Sequence, residues 1–188
     1  MNIFEKIKFI LKRPKVIIVT GEGHQATSEV IFRVLKPYFQ IGKEVLIFET
    51  DSENIEKFKF LASKSSMAVL VASETNEKIR ELAKMVPSQG FLVFNSDDKE
   101  LERVKGESLA RCLTFGFQEG ANFQASDIKL NGDTNFKINY QGKVVPVWLE
   151  GICDKEKISA GLAVAVVGTI FGLNLIEISQ ALREIQKV

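Results

Sequence analysis

The chain is short of the residues on which much specialised chemistry depends. Its 188 residues include one histidine, two cysteines, one tryptophan and four prolines. A single His rules out a His-rich zinc site and leaves no evident Ser-His-Asp triad. Cys112 and Cys153 are too few for a disulfide scaffold and lack metal-ligand spacing, which suits a reducing cytosol. With no basic neighbour in sequence, both read as inert thiols. Neither charge sign dominates, since 25 Lys and Arg face 24 Asp and Glu for a net charge of +1. The chain as a whole therefore has no electrostatic footprint for nucleic acid or for an anionic membrane.

Long apolar runs are scarce as well. Ile158 to Ile176 carries no charge, and Gly168 and Gly172 form a G-x-x-x-G. Ser159, Thr169 and Asn174 dilute this run, and a second helical pattern from Leu175 to Ile185 follows directly. It reads as a buried core helix rather than a bilayer span. Met1 to Lys15 interleaves Ile3, Phe4, Ile7, Ile10 and Leu11 with Lys6, Lys8, Lys12 and Arg13, so charges interrupt any signal-peptide core. It is expected to be a short helix covering the sheet edge; a basic amphipathic helix on a membrane surface is the competing reading.

What is present is a strand, a glycine loop and a helix in succession. Val16-Ile-Ile-Val-Thr20 is an apolar, β-branched run. Gly21-Glu-Gly-His-Gln-Ala-Thr-Ser28 follows, and then Val30, Ile31, Val34 and Leu35 on one helical face. Backbone N–H groups and a helix N-terminus presented this way suit an anion. Further strands are read at 44–49, 67–72 and 90–95, with helical stripes between them (Ile55, Phe58, Leu61; then Ile79, Leu82, Ala83, Val86). Such alternation predicts parallel strands joined by right-handed crossovers. From Leu113 the rhythm changes to a β-meander: 113–117, 123–130, then Phe136, Ile138 and Tyr140 alternating, a Gln141-Gly142 turn, and 144–149. Phe136 and Trp148 are both expected to face the core. The fold class is α/β: a P-loop-like, mostly parallel sheet flanked by helices, with a small antiparallel meander and two closing helices. One domain over 1–188 is expected, with 1–112 and 151–188 as the α/β core and 113–150 as the meander.

These residues, in this order, resemble the central, ATP-binding domain of the Mur ligase family, ATP-dependent amide ligases of cell-wall peptide synthesis. Pro87-Ser-Gln-Gly90 followed by Phe91-Leu-Val-Phe-Asn95-Ser-Asp97-Asp98 is similar to the family's P-x-x-G…N-x-D-D. Leu113-Thr-Phe-Gly116 is similar to its L-T-F-G strand, and Ala121-Asn-Phe-Gln-Ala-Ser-Asp-Ile128 to the segment after it. Ala160-Gly-Leu-Ala-Val-Ala165, then Phe171-Gly-Leu-Asn-Leu-Ile-Glu-Ile178 and Ala181-Leu182, resemble its closing helices.

The resemblance also locates departures. The family's G-T-N-G-K-T-T lies over Gly21-Glu-Gly-His-Gln-Ala-Thr27, so Gln25 stands for the phosphate Lys and Ala26 for the Mg²⁺-binding Thr. A one-residue shift puts His24 and Gln25 there instead, and neither register restores the pair. The carbamylated Lys falls on Ile79, beside Lys78, and the second metal carboxylate falls on Glu49. G-x-H-N-x-x-N reads Asp154-Lys-Glu-Lys-Ile-Ser-Ala160. The family's UDP-sugar and amino-acid domains would lie before Val16 and after Val188.

The expected nucleotide loop and adenine side are thus Gly21, Gly23, His24, Gln25, Ala26, Thr27, Asn95 and Asp98. Glu49 is the candidate metal ligand and Thr27 a weaker one; no catalytic residue is assigned. The leading expectation is a non-catalytic cytoplasmic relative without cofactor, binding nucleotide, another cell-wall ligase or itself. The alternatives are an acyl-phosphate amide ligase using ATP and Mg²⁺ with separate substrate domains, and an unrelated α/β binding module. In the ligase alternative Glu49, Asp97 or Asp98 holds Mg²⁺, and His24 or Lys15 replaces the Lys. Each residue also has a plainer role. Gly21 and Gly23 make a tight turn, Thr27 or Ser28 caps the helix, and His24 is solvated. Asn95 ends its strand by a turn with Asp97, and Asp97-Asp98 starts a helix.

Overall fold

A computed structural model describes residues 3–100 and 104–185; the extreme ends of the expected 1–188 domain lie outside them. The elements run α1 (Ile3–Lys12), β1 (Lys15–Thr20), α2 (His24–Leu35), β2 (Val45–Thr50), a 3₁₀ stretch (Ser52–Phe58), α3 (Lys59–Lys64), β3 (Met67–Ala72), α4 (Glu77–Met85), β4 (Phe91–Asn95), β5 (Arg111–Gly116), β6 (Phe123–Asn131), β7 (Asp133–Tyr140), β8 (Lys143–Leu149), α5 (Lys155–Ile170) and α6 (Leu175–Ile185).

All eight strands share one sheet in the order β2-β1-β3-β4-β5-β6-β7-β8. Pairing is parallel from β2 through β6 and antiparallel from β6 to β8. The α/β class read from the sequence is the class observed.

Strands β1, β3 and β4 are apolar at every core position because both faces are covered. Ile17, Val19, Val69, Val71 and Val93 point into one core with α2, α5 and α6. Val16, Ile18, Leu70 and Leu92 point into the other with α3 and α4. Helix α5 lacks a polar face because it is buried along most of its length, from Ile158 to Gly168. Among the described residues no helix is long and apolar enough to cross a membrane.

Three expectations fail. Strand β5, read as the first strand of the antiparallel meander, pairs parallel with both β4 and β6, so it belongs to the parallel sheet and the meander is β6 to β8 alone. Trp148 is 48% exposed, whereas Phe136 is buried. Phe136 pairs with Val147, so the inward positions of β8 are Val147 and its period-two partner Leu149, and Trp148 falls on the outer face. Helix α1 does not cover the sheet with its apolar stripe: of its residues only Phe9 is buried.

Candidate functional site

The chain order β1-α2-β2 runs one way from β1, and the return to β3 runs the other, so the sheet reverses direction between β1 and β3. In open α/β sheets, ligands bind outside the carboxyl ends of the strands at this reversal. Here β1 ends at Thr20 and β3 at Ala72, paired in register. The chain leaves β1 through Gly21 (φ 92°) and Gly23 (φ 71°), both in the left-handed region. Gly23 is the N-cap of α2 and has no side chain to cap it.

The turn is fixed from two sides. Ser73 Oγ donates to the Glu22 carbonyl (2.9 Å). His24 Nδ1 lies 2.8 Å from the Gly21 carbonyl, an acceptor, so the proton of that bond is on Nδ1. Its Nε2 is 3.6 Å from Asp51 Oδ1, and the side chain is only 20% exposed. His24 is therefore folded back on its own loop, not solvated as expected; the left-handed Gly23 aims the first helical residue inward.

Above this turn opens a cavity of about 480 Å³, within the range of small-molecule sites. Thr20 and Asp97 lie on its lining, and both Thr20 Oγ1 and Asp97 Oδ1 are buried without a hydrogen-bond partner. Phe115 and Phe117 form an apolar wall. The first turn of α5 closes the opposite side through Asp154, Lys155, Glu156 and Lys157. Asp154 caps α5 by accepting from the Lys157 N–H (2.9 Å), and Lys155 Nζ sits 5.1 Å from the Phe117 ring centre. Glu156 reaches the glycine turn: a Cβ built on Gly23 would lie 2.8 Å from Glu156 Oε1. The charged lining is Glu22, Glu74, Asp97, Asp154 and Glu156 against Lys155 and Lys157, with His24 beside them.

Of the expected site residues, Gly23, His24, Ala26, Thr27 and Asn95 line this cavity, and Gly21, Gln25, Glu49 and Asp98 do not. Gln25 is exposed. Thr27 and Ser28 lie within the first turns of α2 and are buried, so neither is the N-cap. Glu49 Oε2 accepts a hydrogen bond from Ser28 Oγ (2.6 Å). Asp98 clasps backbone, accepting from the Thr75 and Glu100 N–H groups (2.9 Å each). The Asn95–Asp97 turn is as read: Asn95 Oδ1 accepts from the Asp97 N–H (3.0 Å). Residues 96–97 and 99–100 are turn and 104–105 helical, and the helix start expected of Asp97-Asp98 falls between them, on residues that lie outside those described; Asp97 Oδ2 accepts from the Phe117 N–H (3.2 Å). Ile79 is fully buried core. Lys15 begins β1, about 17 Å from its far end at 3.3 Å per residue, with Nζ over the Phe39 and Phe171 rings (5.3 and 5.4 Å). It cannot serve the glycine turn. No group of three or more His, Cys, Asp or Glu that could hold a metal ion occurs among the described residues.

Sequence reasoning missed Thr20, Ser73, Glu74 and Glu156. Thr20 carried a usable signal, a hydroxyl closing an otherwise apolar buried strand. Glu156 stands at the His of the G-x-H-N-x-x-N overlay, but nothing local ties α5 to a turn more than a hundred residues earlier.

Comparison with known proteins bears on this geometry. No family model matches the chain. It is 26% identical over 141 residues to the UDP-N-acetylmuramate–L-alanine ligase of Caldanaerobacter subterraneus, covering 74% of this chain and 28% of that protein. The Chlorobium phaeovibrioides ligase of the same name is 30% identical over 93 residues, 49% of this chain and 20% of that one. Among solved structures, MurF ligase from Thermotoga maritima in complex with ADP superposes with a TM-score of 0.75 at 19% identity, covering 93% of this chain and 50% of that one. A pseudomurein peptide ligase type C from Methanothermus fervidus gives 0.70 at 17% identity over all of this chain and 52% of the other. The chain spans about a quarter of the length of the first curated relative and about half of these structures. The likeness to the Mur ligases, and to their central domain, is thus carried by sequence and fold together.

Proposed function

We propose that this chain is a Mur-ligase-like central domain that keeps the nucleotide crevice and does not catalyse amide ligation by itself. The supporting observation is the Glu156 carboxylate packed against Gly23, on the turn where a phosphate would seat. Phosphoryl transfer is mostly positioning and charge neutralisation by Lys and Mg²⁺. Here the Lys position is Gln25, Ala26 offers a methyl group, and Glu49 is hydrogen-bonded to Ser28. The residues present therefore do not fit a Mg²⁺–triphosphate, and no reaction step is drawn through one. The remaining work of the domain is binding, of a nucleotide held weakly in the crevice or of a companion cell-wall ligase or second copy, in the cytosol.

Titration calorimetry with Mg-ATP tests this. Dissociation constants weaker than about millimolar, some −4 kcal/mol, are expected; low-micromolar binding overturns the reading.

One observation favours the ligase alternative. Thr20 Oγ1 and Asp97 Oδ1 sit buried and unpaired at the cavity, an arrangement that a bound ligand would satisfy. Under that reading the chain releases inorganic phosphate from ATP once separate substrate domains are supplied.

A further inference from the structure

Helix α1 presents an apolar stripe to the outside of the domain, and among the described residues of α1 only Phe9, off the stripe, is buried. Ile3 is 70% exposed, Phe4 80%, Ile7 51%, Ile10 45% and Leu11 79%. At 100° per residue these five span about 120° of the helix circumference. Phe9, the buried residue, lies about 160° from the middle of that stripe. Its ring meets Phe60 at 6.1 Å, and Lys6 Nζ lies 5.3 Å from the same ring centre. The stripe therefore points away from the domain. It is also held there: the Arg13 N–H closes on the Phe9 carbonyl (2.8 Å), Arg13 takes a left-handed φ of 42°, and β1 begins at Lys15. So short a link leaves the helix little freedom to roll its apolar face inward.

The charge pattern identifies the occupant. Residues 3–13 carry Lys6, Lys8, Lys12 and Arg13 against Glu5 alone, leaving the rest of the chain net negative. Lys6 and Lys8 flank the two edges of the stripe, each about 40° beyond the last apolar residue. Lys6 turns its ammonium back onto the Phe60 ring, so the charge that faces outward beside the stripe is Lys8. A basic margin on a narrow apolar face suits a helix lying in the headgroup layer, with the Lys8 stem following the apolar surface and its ammonium at a lipid phosphate. A ten-residue helix is about 15 Å long, and its one face falls well short of the ~800 Å² per partner of a standard protein interface.

We propose that α1 is a surface anchor that lays Ile3, Phe4, Ile7, Ile10 and Leu11 into the interface of an anionic lipid bilayer. The proposal is independent of what the crevice binds.

The test is co-sedimentation of the full chain with vesicles of phosphatidylglycerol and phosphatidylcholine against vesicles of phosphatidylcholine alone, with size-exclusion chromatography in parallel. Binding to the anionic vesicles alone is expected. It should weaken roughly fivefold for Lys8→Ser, fall further as salt is raised, and disappear in Ile7→Glu or Leu11→Glu. These positions are exposed, so the variants keep the fold, and an unchanged unfolding midpoint verifies it. Phe4→Trp should add a blue-shifted emission over the Trp148 baseline when anionic vesicles are present. Equal binding to neutral vesicles overturns the anionic-lipid assignment. A concentration-dependent dimer abolished by Leu11→Glu, without vesicle binding, overturns it in favour of a second copy. A monomer that sediments with neither vesicle overturns it outright.

Discussion

Ser28 donates its hydroxyl proton to Glu49 Oε2 across 2.6 Å, tying the second turn of α2 to the penultimate residue of β2. Ser28 is buried at 6% exposure, while Glu49 is exposed. The carboxylate expected to hold a metal thus has a structural partner instead.

Ser28→Ala should cost about 1 kcal/mol of stability, as for a typical hydrogen bond, read as a lower urea midpoint at unchanged slope. Millimolar Mg²⁺ should leave the midpoint of the unmutated chain where it is. A Mg²⁺-dependent rise would restore Glu49 as a ligand.

Gly21 and Gly23 should differ in tolerance. Both have positive φ, which costs an L-residue about 1–2 kcal/mol. A Cβ on Gly23 meets the far end of the Glu156 side chain, whereas one on Gly21 meets Ser73 Oγ and lies 3.2 Å from the Glu74 backbone nitrogen. Gly21→Ala should therefore destabilise more than Gly23→Ala in urea denaturation. The reverse order would mean the loop is held chiefly by Glu156.

Restoring the phosphate tools should work only once the resident carboxylate is neutralised. Gln25→Lys with Ala26→Thr should raise ATP affinity more in a Glu156→Gln background than alone, a coupling through the shared anion site. Calorimetry of the four chains reads it. Equal gains in both backgrounds would place Glu156 outside the anion's position.

Acid should loosen the far side of the domain through Glu107. Hydrogen bonds from Lys84 and then Arg80 hold its carboxyl below the ordinary carboxylate value. A depressed folded value contributes stability above the unfolded pKa, and that contribution is lost as pH falls through the folded one. Stability measured from neutral pH down should fall less steeply in Glu107→Gln. Identical acid limbs would show the cluster to be ornamental.

The parallel strands were legible because two-sided burial writes itself as unbroken apolar runs such as Val16 to Val19. The Asn95–Asp97 turn was legible because its bond spans two residues. The orientation of Trp148 was not. In Val144-Val-Pro-Val-Trp-Leu149 nearly every position is apolar, and only the register with β7 selects the inward face. The partners of Glu49 and Gly23 were hidden for another reason. Ser28 and Glu156 are brought to them by helices packed across long sequence separations, and residue type alone does not encode that approach. The stripe of α1 was visible, but periodicity cannot say which way a face turns.

Where β5 meets β6 the ladder is only two register pairs wide, Phe115 with Phe123 and Gly116 with Gln124. The reciprocal bonds of Asn122 and Thr114 add a stitch beside it. What spans this narrow seam is the apolar cluster in which α5 packs against Val93 and Phe115 on one side and Phe123 and Phe136 on the other. Helix α5 thus works as a splint across a thin joint. The same splint carries Glu156 at its tip, so any force that draws the tip off the glycine turn also strains the joint between the two halves of the sheet.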